Sequence, residues 1–181
     1  ALAGFAGHPR GSIAIEILAG RGYHVVALTG HEAQSGYLKD LGAAEILLRQ
    51  SIELSTIKPL GRETWAGAVD NLGGEVLAWM VSTMKVGGTL AAVGLAAGMQ
   101  LNTTVMPFIL RGVNLLGIDS VNCPMALRSA VWQRLATDMR SAHLVGPNAL
   151  TKTIAFDELP TAFEAFVQGR AVGRTVVTIG S

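Results

Sequence analysis

Cysteine is nearly absent: Cys123 stands alone in 181 residues. A single thiol excludes a disulfide framework and a cysteine-based zinc site, and it points to a reducing, cytoplasmic compartment. Charge is also scarce, at 15% of residues, and balanced, with 14 Lys and Arg against 13 Asp and Glu. Without a basic cluster, nothing attracts nucleic acid or an anionic membrane. Long apolar runs are missing too. None reaches the ~18 residues a membrane-spanning helix needs, and the first residues lack the basic flank and cleavage pattern of a signal peptide. An initiator methionine is lacking, and the chain opens inside an apolar segment, so a portion of a longer protein is expected.

What is present is enough apolar material for a sizeable core, 50% of the residues, which argues against disorder. It comes in short runs of Val, Ile, Leu and Ala: YHVVALT at 23–29, AEILL at 44–48, AGAVDN at 66–71, GTLAAVG at 88–94 and VNLLGI at 113–118. Helix-like segments lie between them. Residues 11–21 carry Ile13, Ile17 and Leu18 at helical spacing, 32–41 ends at the capping glycine Gly42, and 75–84 stops before Gly87 and Gly88. Runs that are continuously apolar, rather than alternating, belong to strands covered by helices on both faces. The alternation with short connections predicts βαβ crossovers, hence an α/β fold with a doubly wound parallel sheet. The end reads differently. After an amphipathic helix predicted over 125–140 come a turn at Gly146-Pro147-Asn148, a strand at 151–156, a helix over 157–168 capped by Asp157, and a last strand, TVVTI. This unit is expected to belong to a second domain.

Four loops follow predicted strands, where open α/β sheets bind ligands. The first reads Gly7-His8-Pro9-Arg10-Gly11-Ser12. Gly11 and Ser12 suit a helix start that binds a pyrophosphate, whereas Pro9 removes an amide donor and forbids positive φ; the loop reads equally well as a plain turn. The second, Thr29-Gly30-His31, lacks the acid that would accept a ribose 2′-hydroxyl, since the first acid is Glu32. With Arg49 at the next strand end, this set suits a 2′-phosphate, hence NADP; an exposed loop and a surface arginine are the plain alternative. In Asp70-Asn71-Leu72-Gly73-Gly74 and Gly94-Leu95-Ala96-Ala97-Gly98, glycines would keep side chains clear of a flat cofactor, or would serve ordinary turns.

No catalytic constellation emerges. His8, His24, His31 and His143 show no metal-ligand spacing, and His24 reads as a structural residue inside a strand. Asp119-Ser120 has no histidine beside it. Cys123 reads as a nucleophile or, more readily, as a small packed thiol, and Asp157 and Glu158 as a helix start.

GSIAIEILAGRGYHVVALTG, LKDLGA, WAGAVDNLGG, GGTLAAVGLAAG, TTVMPFILRGVNLLGIDSV and the ending FDELPTAFEAFVQGRAVGRTVVTIG resemble the zinc-free quinone-oxidoreductase branch of the medium-chain dehydrogenase/reductase superfamily, within it the NADPH-dependent acryloyl-CoA reductase group. The resemblance implies a Rossmann NADP-binding domain over 1–145 and, over 146–181, the C-terminal part of a GroES-like catalytic domain whose N-terminal part is absent. It implies hydride transfer from NADPH to the C=C bond of an α,β-unsaturated acyl-CoA, or to a quinone or enone. By position, Gly11, Ser12 and Ile13 would line the pyrophosphate, and Thr29, Gly30, His31 and Arg49 the adenosine phosphate. Asn71, Gly94, Leu95, Phe108, Ile109 and Ser120 would flank the nicotinamide half, with Arg174 reaching in from the end of the chain. Strand 113–118 would be a homodimer contact. The family's loop reads approximately Gly-Gly-Val-Gly-Ser where this chain has His8-Pro9-Arg10-Gly11-Ser12, a departure that bears on cofactor affinity. The other class of reading is a non-catalytic nucleotide-binding or dimerisation module.

Overall fold

The computed structural model describes residues 2–3, 9–142, 151–168, 171 and 174–179. His8, His143, the turn at 146–148 and the 145/146 boundary lie outside the described residues.

Six strands, β1 (Leu2–Ala3), β2 (Val26–Thr29), β3 (Glu45–Leu48), β4 (Trp65–Asp70), β5 (Met84–Ala92) and β6 (Asn114–Gly117), pair in parallel in the order β3-β2-β1-β4-β5-β6. The order reverses after β1, which makes this the predicted doubly wound sheet, with its switch point between the neighbours β1 and β4. All four residues of β2 are buried, and they face alternate sides. Val26 and Leu28 enter a core with Leu72, Val76, Met80, Val81, Leu90 and Val113, under α3 (Gly74–Ser82). Val25 and Ala27 enter a second core with Ile15, Leu38 and Leu41, under α1 (Pro9–Gly20) and α2 (Ser35–Asp40). A strand lodged between two such cores has no wet face, which is why its sequence does not alternate. Each buried Leu or Ile contributes roughly 1.5–3 kcal/mol of hydrophobic stabilisation.

Several boundaries differ from the sequence expectation. The first helix begins at Pro9 rather than residue 11, because proline's missing N–H and fixed φ suit an initial helical position. Its deepest residue is Ile15, fully buried, while Ile13, Ile17 and Leu18 are half-buried. The segment expected as one helix over 32–41 is a 3-10 turn, Glu32–Gln34, followed by α2. A short helix, α4 (Met106–Arg111), precedes β6, with Pro107 buried near its start; Gly112, at φ 58°, closes it by donating its N–H to the Pro107 carbonyl. Proline just inside the start and glycine just past the end is the usual helix punctuation. The predicted 125–140 helix stops earlier, as α5 (Met125–Ala136), and it buries none of its residues. His24 lies ahead of β2 rather than inside a strand, exposed, with Nε2 2.7 Å from Glu45 Oε1.

Two side-chain staples tie distant segments together. Arg111 donates from Nη1 to the carbonyls of Ser82 (2.8 Å) and Met84 (3.1 Å), and from Nη2 to that of Gly61 (2.6 Å), with Glu63 3.6 Å from Nε. On the other side, Glu16 of α1 accepts the Ser141 hydroxyl and the Ala142 amide, the latter at 2.7 Å. Arg21 reaches Asp138 at 2.9 Å. Replacing Glu16 by Ala leaves those two donors to water. It is expected to cost about 1–2 kcal/mol and to speed proteolysis within 137–142; an unchanged cleavage rate counts against the staple.

The end of the chain forms a separate two-stranded parallel sheet, β7 (Thr151–Ala155) with β8 (Arg174–Thr178), joined through α6 (Leu159–Val167). Its helix is entered through a 3-10 turn, Phe156–Glu158, in which Glu158 rather than Asp157 accepts a turn amide, that of Ala155 at 2.8 Å.

Candidate functional site

Because the six strands run parallel, their C-terminal ends all lie along one edge of the sheet, where the loops after β2, β4 and β5 emerge. Thr29 is paired in register with Leu48, so Gly30-His31 and Arg49 leave the sheet side by side. All three are exposed, and the Arg49 guanidinium has no partner among the described residues. Thr29 plays a different part. It is buried, its Oγ1 accepts the His31 amide (3.1 Å), and it donates to Gln34 Oε1 (3.3 Å). It shapes the turn from which Gly30 and His31 project.

The loops after β4 and β5 form one unit. The Val93 amide donates to the Asp70 carbonyl (2.8 Å), Ala96 to Asn71 (3.4 Å) and Ala97 to Leu72 (2.7 Å), and Gly73 bridges Gly98. This gives the glycines a physical reason the sequence did not reveal. A Cβ on Gly94 would stand 2.7 Å from the Asn71 carbonyl oxygen. Gly73 has φ 68° and ψ −158°, a region essentially reserved for glycine, and a Cβ there would strike the Gly98 carbonyl. The backbone-to-backbone approach between the two loops thus already requires glycine at both positions. Asp70, not singled out from the sequence, anchors this unit. Its carboxylate is fully buried and accepts the amides of Leu72 (3.0 Å, Oδ1) and Gly73 (2.9 Å, Oδ2). Burial pushes its carboxyl above the usual aspartate value, against the downward pull of the Gly73 and Leu72 amides. The available signal was an acid closing an apolar run, which must be paired if it is buried.

Asn71, Gly94 and Leu95 are thus brought together, with Leu95 exposed and Asn71 buried. A cleft of about 370 Å³ is lined instead by the far ends of the two loops, Gly74, Ala97 and Gly98, together with Arg49, Leu54 and Glu75. The remaining candidates are more scattered. Gly11 and Ser12 are buried in the first turn of α1, with Ile13 next in line; the Gly11 amide belongs to the helix-start set that lacks an intrahelical acceptor. Phe108 packs against the α3-side core, while Ile109, its neighbour on α4, is exposed. Ser120 lies in the turn after β6, where its carbonyl accepts Arg128 Nη2 at 2.6 Å. Arg174 opens β8, in the separate sheet. Asp119 is held below the usual aspartate range by the Asn122 amide first, then by that residue's side chain and the Val121 amide. It closes the turn over 119–122. Among the described residues, no three His, Cys, Asp or Glu side chains gather where they could hold a metal ion, and no helix is long and apolar enough to cross a membrane.

The zinc-binding dehydrogenase family matches residues 9–137, from the start of α1 to the end of α5. The chain belongs to this family. Membership in the zinc-binding dehydrogenases agrees with the resemblance to the medium-chain dehydrogenase/reductase superfamily. Acrylyl-CoA reductase AcuI of Ruegeria pomeroyi is 44% identical over 171 residues, which cover 94% of this chain and 51% of that protein. YhfP of Bacillus subtilis, which carries a quinone-oxidoreductase name, is 43% identical over 93% of this chain and 51% of its own length. The crystal structure of E. coli YhdH with bound NADPH superposes with a TM-score of 0.89 at 41% identity, over 99% of this chain and 54% of that one. YhfP crystallised with NAD bound gives 0.89 at 42% identity, over 98% of this chain and 54% of that one. The chain therefore spans about half the length of the curated relatives it matches.

Proposed function

We propose that this chain is the cofactor-holding part of an NADPH-dependent reductase that acts on the C=C bond of an α,β-unsaturated acyl-CoA, or on a quinone or enone. The observation that carries the cofactor choice is the pairing of Gly30-His31 with Arg49 across adjacent strand ends, where no acid closes β2. A planar guanidinium with five donors suits a 2′-phosphate; a carboxylate at that place would repel it. Gly30 leaves open space where its Cβ would stand, so the ribose side can approach the backbone. The 44% identity to an acrylyl-CoA reductase supports the substrate class.

In this reading Gly11, Ser12 and Ile13 at the start of α1 meet the pyrophosphate, and Thr29 fixes the turn that presents Gly30 and His31. The ledge made by Asn71, Gly94 and Leu95 meets the nicotinamide half, with Phe108, Ile109 and Ser120 on its β6 side and Arg174 reaching in from β8. When bound, NADPH supplies the hydride for the β-carbon of the double bond. The protein's own part is to position that carbon and stabilise the charge that develops on the carbonyl side. The chain divides into a nucleotide-binding domain over 1–145 and, over 146–181, part of a second domain that carries the substrate residues and needs no metal from this chain. Among the described residues β6 is one of the two edge strands of the sheet, with Leu116 and Ile118 about half exposed, and this supports a homodimer through 113–118.

Titration with NADPH and NADH, followed by nicotinamide fluorescence, tests the reading. Arg49→Ala is expected to weaken NADPH by about tenfold or more, the equivalent of one lost charged hydrogen bond, and to leave NADH nearly unchanged. Equal losses for both overturn the 2′-phosphate assignment. No saturable signal with either leaves the non-catalytic module as the better reading.

A further inference from the structure

We infer that Asp70 is a positioning residue: its buried carboxylate locks the loops after β4 and β5 into one rigid ledge, and that ledge orients the nicotinamide half of the site. The second clause rests on the cofactor reading above; the first stands on geometry alone. Asp70 is fully buried, so it touches no ligand itself. Its two oxygens take separate amides, Leu72 on Oδ1 and Gly73 on Oδ2, which fixes the backbone of 71–73. From that backbone, three consecutive carbonyls, those of Asp70, Asn71 and Leu72, accept amides of the following loop, from Val93, Ala96 and Ala97. Gly73, held by Oδ2, is also the residue that bridges Gly98. One carboxylate therefore sets the shape of the first loop, and the first loop is the template for the second. Leu95, exposed at the tip of the second loop, takes its place from this arrangement.

Asp70→Asn tests the coupling with almost no change of volume. An amide offers one acceptor oxygen where two are needed, so either Leu72 or Gly73 faces an N–H instead of an oxygen. In the full-length protein, hydrogen exchange at the amides of Val93, Ala97 and Gly98 is expected to accelerate by about tenfold or more, since one charge-assisted hydrogen bond is lost. The amides of β2 and α2 should keep wild-type rates. None of the three reporter amides bonds to the carboxylate, so their response reads the coupling itself and requires no cofactor. NADPH should then bind about 5–10-fold more weakly, whereas 2′-phospho-ADP-ribose, which lacks the nicotinamide, should bind as it does to the wild type. Unchanged exchange at 93–98 overturns the coupling. Accelerated exchange with equal losses for NADPH and the fragment overturns the positioning role.

If Asp70→Asn does not fold, Ala96→Pro takes its place. It deletes the amide donated to the Asn71 carbonyl, at the second position of the 95–98 turn, where proline suits the common turn types. The same selective pattern is expected from it at smaller amplitude, and its absence overturns the proposal. Failure of the wild type to bind either NADPH or the fragment refutes the cofactor reading, and the positioning role with it. The exchange result is read independently of that outcome.

Discussion

Gly73→Ala is expected to destabilise the protein by about 3–5 kcal/mol, one of the two largest effects among the substitutions considered. Two costs combine. The backbone at φ 68° and ψ −158° imposes about 1–3 kcal/mol on any residue with a Cβ, and fitting an extra methyl into a packed site adds about 1–3 kcal/mol. The collision here is with the Gly98 carbonyl and, at 3.2 Å, with the Leu95 Cα. Both belong to backbone, which cannot turn aside as a side-chain end can. Urea unfolding measures the effect as a shift in midpoint at unchanged slope. Gly94→Ala provides the comparison, because it adds a contact 2.7 Å from the Asn71 oxygen without the positive φ, so it should cost clearly less. Equal costs for the two would mean that the left-handed backbone adds nothing, and a wild-type midpoint for Gly73→Ala would refute the loop geometry outright.

Arg111→Ala is the second, at about 3 kcal/mol. The guanidinium is largely buried and serves three carbonyls on three segments: the end of α3, the start of β5 and the loop at Gly61. Truncation leaves those oxygens short of donors, at about 1–3 kcal/mol for each that water cannot reach. Only part of that sum is expected, since Glu63 and the chain near Gly61 are open to solvent. For a chain of this length the loss corresponds to a fall in Tm of about 6–12 °C. Arg111→Lys should recover less than half, because an ammonium cannot span the carbonyls that the fork bridges. Full rescue by lysine would show that charge alone matters there, and that the three directed bonds do not.

Much of the fold was legible because the residues that carry it answer to short-range rules. Continuous apolar runs marked the buried strands, and the spacing of glycines marked their ends. The misjudged boundaries follow from context that such rules do not contain. α5 looks amphipathic in sequence, yet it buries none of its residues, and Leu127, Val131 and Trp132 stay exposed. α4 was missed because six residues are too few to show a period, although Pro107 and Gly112 punctuate it. At the site, the side-by-side position of His31 and Arg49 was legible from order alone, given parallel strands. The bonding of the β4 and β5 loops was not: it depends on register between residues some 25 positions apart, for example Leu72 and Ala97. The need for absent side chains was legible in the glycines there, but the backbone neighbour that imposes it, the facing loop, was not. Asp70 was passed over because one acid at the end of a run is indistinguishable from a turn residue until its burial is known.

The chain has three tryptophans, and the structure divides them by environment. Trp65 and Trp79 meet edge to face in the α3-side core, ring centres 6.2 Å apart at 64°, whereas Trp132 sits on α5 with 62% of its surface open. The molecule thereby carries two optical probes with separable spectra. The core pair should emit to the blue and resist acrylamide; Trp132 should emit to the red and be quenched freely. Removing Trp132 by substitution with Phe isolates the signal of the sheet. In the unsubstituted chain, a red shift confined to the blue component would record opening of the α3-side core around Trp65 and Trp79.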